Sequence, residues 1–235
     1  MRIVIFGANG STGRLLTRRV LDAGHSAVAV TRRPDEFPIS DARLTVAGAD
    51  VRCDDLAGVV GGAGAVLSTL GVPFTRQPVD TYSLGTRNVV NAMRESGVSR
   101  LVVVSSTGAY PVRGHTPLAL RLFEPIITRT IGKTVYDDIR RMETVVRDSG
   151  LEWTIVRPSG LFDLPRPTNY LAGEVAPVGA FTARIDLADY LTKLAQDRTA
   201  RRKTVVVSTT EHTPTVWEMV RREAFKSDAP HEVPA

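Results

Sequence analysis

Residues 2–14 (Arg-Ile-Val-Ile-Phe-Gly-Ala-Asn-Gly-Ser-Thr-Gly-Arg) place the groups best suited to holding a phosphorylated ligand. Gly7, Gly10 and Gly13 fall three apart, behind the apolar run Ile3–Phe6 and ahead of Leu15, Leu16, Val20 and Leu21 at helical spacing. Strand, glycine turn and helix in that order make the setting a dinucleotide diphosphate needs. Gly7 allows the tight exit from the strand. Gly10 lets the backbone approach the phosphates with no Cβ between, and Gly13 lets the helix lie close to the sheet. Backbone N–H groups of Gly10, Ser11 and Thr12 are expected to face the anion, backed by the positive end of the helix dipole. Asn9 and Thr12 add side-chain donors. Three glycines alone are a weak signal, and their position directly after the first strand gives it weight.

The end of the second strand bears on which dinucleotide is held. A carboxylate there would bond a ribose 2′-hydroxyl, but the chain reads Val30, Thr31, Arg32, Arg33, with no acid before Asp35. A guanidinium grips a 2′-phosphate bidentately, so Arg32 and Arg33 point to NADP. One such pair at about 4 Å in a surface dielectric contributes on the order of 4 kcal/mol before desolvation and screening. Asp50 and Val51 follow the third strand and are expected to meet the adenine, with Asp54 and Asp55 as rivals. Thr69, Leu70 and Gly71 close the fourth strand and should border the nicotinamide ribose.

These positions need a scaffold, and the pattern supplies one. Strand-like runs at Ser26–Thr31, Leu44–Ala47, Ala65–Leu70, Leu101–Ser105, Glu152–Val156 and Thr204–Val207 alternate with helical segments at Leu56–Val60, Val79–Ser96 and Tyr136–Ser149. Gly97 and Gly150 stand where C-terminal helix caps belong. Valine-rich strands between helices predict right-handed crossovers and a parallel sheet covered on both faces. Two Pro- and Gly-containing stretches, 107–135 and 158–183, break the alternation and leave from the carboxyl ends of strands. They are the expected walls of a substrate pocket. A tail from 209 to 235 carries one short predicted helix, Val216–Ala224.

The chain has 235 residues, enough for one α/β domain and too few for two comfortable ones. Its net charge of +5 is spread along helices and interleaved with acids, with no aromatic residues to stack bases, which disfavours nucleic acid. No apolar run is long enough for a membrane span, and the strand at the N-terminus leaves no room for a secretory signal. A single cysteine, Cys53, allows no internal disulfide and suggests a reducing cytoplasm; Cys53 itself reads as a small buried filler. His25, His115, His212 and His231 are too dispersed for a metal site, and no Gly-x-Ser-x-Gly elbow supports a hydrolase. Oligomeric state has no signal in the sequence.

Gly7–Gly13 resembles the glycine motif of the atypical short-chain dehydrogenase/reductases. Gly85–Met93, Gly97–Thr107, Asp137–Glu143 and Ser149–Pro158 resemble the branch holding the NmrA-like proteins and the flavin/biliverdin reductases. The resemblance spans about residues 1–208. It implies a single Rossmann-like, doubly wound parallel sheet with NADPH, to which the residues themselves add the pocket loops at 108–135 and 158–183. It also implies Ser106 as a catalytic group near the nicotinamide, with Ser105 its competitor, and Pro158 bordering the same ring. Carbonyl-reducing members of the larger family carry Tyr-x-x-x-Lys, in which lysine lowers the tyrosine pKa. Here the match is Tyr136-Asp-Asp-Ile-Arg140, so Tyr136 stands as a catalytic candidate whose reading leans to structure or substrate contact. Flavin and biliverdin reductases lack that pair too. The expected function is hydride transfer from NADPH to a small conjugated acceptor, with an NmrA-like sensor lacking turnover or a Tyr136-dependent ketone reductase as alternatives.

Overall fold

The computed structural model describes residues 1–110 and 132–215. Strands β1 (Arg2–Phe6), β2 (Ser26–Thr31), β3 (Leu44–Gly48), β4 (Ala65–Ser68), β5 (Arg100–Val104), β6 (Glu152–Pro158) and β10 (Lys203–Ser208) run parallel in one sheet. The short β8 (Leu171–Gly173) adds an antiparallel edge, giving the order β3-β2-β1-β4-β5-β6-β10-β8. A separate two-stranded sheet pairs β7 (Gly160–Phe162) with β9 (Phe181–Ala183). Helices are α1 (Ser11–Asp22), α2 (Ala57–Val60), α3 (Thr81–Glu95), α4 (Lys133–Arg147) and α5 (Arg184–Leu194).

Successive strand residues face opposite sides of a sheet, and β1 shows the consequence. Ile3 and Ile5 join Leu16 and Val20 of α1 and Leu187 and Leu191 of α5 in one core. Val4 and Phe6 join Val89 and Met93 of α3 and Met142 of α4 in the other. Strands buried on both faces need unbroken apolar runs, and Ile3, Val4 and Ile5 are all fully buried. Full burial of each is worth about 1.5–3 kcal/mol.

Buried polar groups tie the layers together. Asp138 of α4 accepts from the Tyr82 N–H at 2.8 Å and the Ser83 N–H at 3.4 Å, capping α3, whose own first residues supply no side-chain cap. Arg100 donates to the Leu194 carbonyl at 3.1 and 2.6 Å, placing a cation at the C-terminus of α5. Burial lowers its pKa to about 10, still high enough to keep the charge at neutral pH.

Several expectations are corrected. The 158–183 stretch is not structureless: it holds β7, β8 and β9. The helix α5 was not predicted, because Asp186, Asp189 and Thr192 are buried along with its apolar residues and blur the two-faced pattern. Strand β4 ends at Ser68, so Thr69 and Leu70 lie beyond it, and α4 starts at Lys133 rather than Tyr136. Cys53 is exposed, not a buried filler. Its thiol is pushed up by desolvation and then by Asp50 and Asp54. The predicted helix at 216–224 and most of the 108–135 wall lie outside the described residues. Among the described residues no helix is long and apolar enough to cross a membrane.

Candidate functional site

Chain order reverses between β1 and β4, which are neighbours in the sheet, and a crevice opens beyond their carboxyl ends. The Gly7 turn enters it. Gly7 has φ +76°, and a Cβ there would stand 2.7 Å from the Thr69 carbonyl oxygen, so the turn demands glycine. The Thr69 hydroxyl donates to the Phe6 carbonyl at 3.1 Å, holding β4's exit against β1's. Gly13 does not line the crevice; a Cβ on it would reach 2.2 Å from the Gly7 carbonyl oxygen, so it fixes how closely α1 approaches.

Gly10 differs from both. It has φ −72°, and a Cβ would meet only the Gly7 carbonyl oxygen, at 3.4 Å. Nothing in the protein's own packing requires glycine at 10; the space a Cβ would fill belongs to the crevice. Gly10 also starts α1 without a side-chain cap, which leaves first-turn N–H groups for an anion. A nicotinamide dinucleotide fits this donor set. Asn9 Oδ1 accepts from Arg14 Nε at 3.0 Å, so its amide NH2 remains the donor.

The crevice is a cavity of about 1120 Å³. It exceeds the usual 300–1,000 Å³ of a drug-sized ligand site, as a site for a dinucleotide would. At one end lie Thr31, Arg32, Arg33, Asp50 and Val51; Thr69, Leu70 and Gly71 form the middle; Ser105, Ser106, Tyr136 and Pro158 close the other end. Asp54 and Asp55 turn away: Asp54 accepts the Asp50 N–H at 2.7 Å and Asp55 the Ala57 N–H at 2.9 Å. Arg33 pairs with Glu36 at 3.3 Å. No described carboxylate pairs with Arg32.

The two serines separate clearly. Ser105 Oγ donates to Glu143 Oε1 at 2.6 Å, committing its proton to a fully buried carboxylate. Ser106 Oγ accepts the Gly108 N–H at 3.1 Å, and its own proton stays available to the cavity. Glu143 also takes Arg157 at 2.9 and 2.6 Å and Arg147 at 3.0 Å. Burial would raise the Glu143 carboxyl, but the hydrogen bonds from Arg157 and Ser105 outweigh it and hold it below the ordinary glutamate range. Tyr110 lies over the Arg157 guanidinium, 3.9 Å from ring centroid to Cζ. Sequence reasoning missed this cluster. The spacing of Glu143 and Arg157 gives no sign that helix and strand ends converge on the Ser105 hydroxyl.

Tyr136 lines the cavity with its hydroxyl against Gly108, where a Cβ would come within 2.6 Å of the phenolic oxygen. Arg140 cannot act as the missing lysine. Its Nε donates to the Ala109 carbonyl at 2.8 Å and its Nη1 pairs with Asp137 at 2.7 Å. Arg184, at the head of α5, also lines the cavity and pairs with Asp163 at 2.9 Å; nothing in its sequence context marks it.

Residues 7–198 match the family model described as NAD(P)H-binding. The chain belongs to this family. An uncharacterised protein of Mycobacterium tuberculosis is 32% identical over 164 residues, covering 69% of this chain and 15% of that protein. The chain thus spans a minor part of that relative's length. Among solved structures, a short-chain dehydrogenase/reductase from Veillonella parvula in complex with NADP superposes with TM-score 0.72 at 22% identity, covering 89% of this chain and 95% of that one. ChuY, an anaerobilin reductase from Escherichia coli O157:H7, superposes with TM-score 0.68 at 19% identity over 92% of this chain and 100% of that one. The fold is the Rossmann-like fold of these structures, so the resemblance to the atypical short-chain and biliverdin reductase branch holds at the level of fold, and the family shown is the NAD(P)H-binding one.

Proposed function

We propose that the protein is an NADPH-dependent oxidoreductase that reduces a small conjugated acceptor, such as a flavin, a quinone or a related compound. The observation that carries this reading is one continuous cavity joining the glycine turn and Arg32 to Ser106 and Tyr136, with Arg140 engaged elsewhere. When bound, reduced nicotinamide supplies a hydride, and one solvent proton completes the two-electron reduction of the acceptor. The chain's own residues then have positional tasks. The N–H groups of Gly10, Ser11 and Thr12 hold the diphosphate, and Arg32 takes the 2′-phosphate. Asp50 and Val51 border the adenine, and Thr69, Leu70 and Gly71 the nicotinamide ribose. Pro158 and Ser106 flank the reacting ring, where the Ser106 hydroxyl is free to donate to an acceptor oxygen or nitrogen. A conjugated acceptor needs little acid catalysis, so orientation supplies most of the acceleration. The NADP-bound Veillonella structure and the reductase ChuY support the reading by analogy of fold.

The place of Tyr136 beside Ser106 favours one further reading, a ketone reductase using the Tyr136 phenol as proton donor. Both are tested by following the reduced-nicotinamide absorbance of purified protein with FMN, a quinone or a ketone. Turnover with FMN or the quinone that survives Tyr136→Phe supports the main reading; ketone turnover lost in that variant supports the second. Coenzyme binding with no oxidation by any acceptor would identify a sensor instead and overturn both.

A further inference from the structure

One charge in the cavity has no task in the reading above. Arg184 lines it together with Ser159, Gly160 and Leu161. Of the described lining residues it is the one cation away from Arg32, Arg33 and Arg52 at the adenine end, where the lining carboxylates Glu36 and Asp50 also stand.

The backbone of Arg184 is fixed from both sides. Parallel pairing sets Phe162 of β7 against Ala183 of β9, so Arg184 emerges beside the chain that follows β7. The Ala183 N–H donates to the Thr209 hydroxyl at 2.7 Å, and Ile185 packs with Phe162 and Phe181. From there α5 runs parallel to α1: Asp189 pairs with Arg19, and Gln196 bonds His25 at 2.7 Å. Arg184 thus opens α5 at the same crevice that receives the Gly7 turn.

That place does not serve the helix, because a cation in the first turn opposes the helix dipole. Nor does the pairing with Asp163 account for it. Asp163 is 65% exposed, and ion pairs with an exposed carboxylate contribute little. The Arg184 side chain is only 19% exposed, and among the described residues its hydrogen bonding is limited to Nη1 on Asp163. The remaining guanidinium N–H groups belong to a wall whose described residues include no carboxylate. Taking a cation largely out of water costs free energy unless an anion meets it.

We propose that Arg184 sets acceptor specificity by binding a carboxylate or phosphate group carried by the acceptor, and so favours anionic acceptors over neutral ones with the same ring. This rests on the reductase reading above, in which every coenzyme phosphate already has its donors: the first-turn N–H groups of α1 for the diphosphate and Arg32 for the 2′-phosphate. A guanidinium meets either oxyanion with two parallel N–H···O bonds, and losing them changes affinity by about tenfold.

The test is titration of the full-length protein, saturated with NADP⁺, with two matched pairs of compounds: FMN against riboflavin, and a naphthoquinone carboxylate against its carboxamide. Wild type, Arg184→Gln and Arg184→Lys are compared. Both variants are expected to fold, since Gln relieves the dipole conflict and Lys keeps the charge. In wild type the charged member of at least one pair is expected to bind about tenfold more tightly than its neutral partner. Arg184→Gln is expected to abolish that preference with the neutral Kd unchanged, and Arg184→Lys to keep part of it, with NADP⁺ affinity the same in all three proteins. No preference in either pair for wild type would overturn the proposal, as would a preference that survives Arg184→Gln. Equal losses for charged and neutral members would overturn it by assigning Arg184 to shape, and a loss of NADP⁺ affinity by assigning it to the coenzyme. An Arg184-dependent preference without NADPH oxidation would leave this inference standing and remove the reductase reading. NADPH oxidation by charged and neutral members alike, bound with equal affinity, would do the reverse.

Discussion

At the end of β2 two arginines stand side by side, and only Arg33 has a carboxylate partner, Glu36. Arg32 faces the same cavity with no described acid to neutralise it, so its charge is available to a ligand. A 2′-phosphate carries close to two negative charges and accepts a guanidinium bidentately. Even a quarter of the on the order of 4 kcal/mol available at contact in a surface dielectric gives about a fivefold preference. Arg32→Ala is therefore expected to weaken NADPH binding by roughly tenfold while changing NADH binding little, as measured by equilibrium titration of both. Equal losses would remove the argument for a phosphate clamp. Ser105 and Ser106 differ in a way their sequence withholds. The two hydroxyls are neighbours and chemically identical. They differ only because Glu143, from a distant helix, captures one of them.

The first βα crossing was legible because its chemistry is local. Tight turn, phosphate approach and helix packing each demand small residues at fixed offsets, and Gly7, Gly10 and Gly13 report all three. Gly13→Ala is the sharpest test of that reading. Its Cβ would meet backbone of Gly7 at 2.2 Å and of Ala8 at 2.7 Å, atoms that cannot swing aside as a side chain could. The variant is expected to lose about 3 kcal/mol in urea unfolding and to bind either coenzyme poorly. A folded, fully binding Gly13→Ala protein would show that α1 does not need this approach. Strand β2 was read to its exact ends because Ser26–Thr31 is apolar on both faces and bounded by turns. The helix α5 was not legible, since Asp186 is buried by partners that only the fold supplies. Asp186 accepts the Thr168 N–H at 2.8 Å and the Thr209 hydroxyl at 2.6 Å. Asp189, likewise, is satisfied by Arg19 of α1, Tyr170 and Lys193. Polar residues whose partners lie far along the chain look like solvent-facing ones until the chain has folded. The wall formed by 158–183 hid its short strands for a related reason: three residues per strand carry no usable periodicity.

The Glu143 cluster extends from the residue to the whole molecule, because its members come from separate parts of the chain. Ser105 follows β5, Arg157 sits in β6, and Glu143 and Arg147 belong to α4. One buried carboxylate thus holds together the strand ends that place Ser106 and Pro158 at the cavity. Such a group links stability to pH, and the sign follows from its depressed pKa. The unfolded chain binds a proton on this glutamate near its ordinary value of 4.5, whereas the folded protein binds it only at lower pH. Its contribution is therefore complete above that value and is lost as pH falls through the folded pKa. Glu143→Gln keeps the shape but leaves Arg157 facing a neutral group in a partly buried site. Removing one partner of such a pair costs roughly 3 kcal/mol at neutral pH. Urea unfolding of wild type and variant at pH 7 and again below pH 4 is expected to show that difference shrinking on acidification, since other carboxylates titrate alike in both proteins. A stability difference that stays constant across that range would mean that the cluster acts through shape alone. The strand ends would then be held without help from the Glu143 charge.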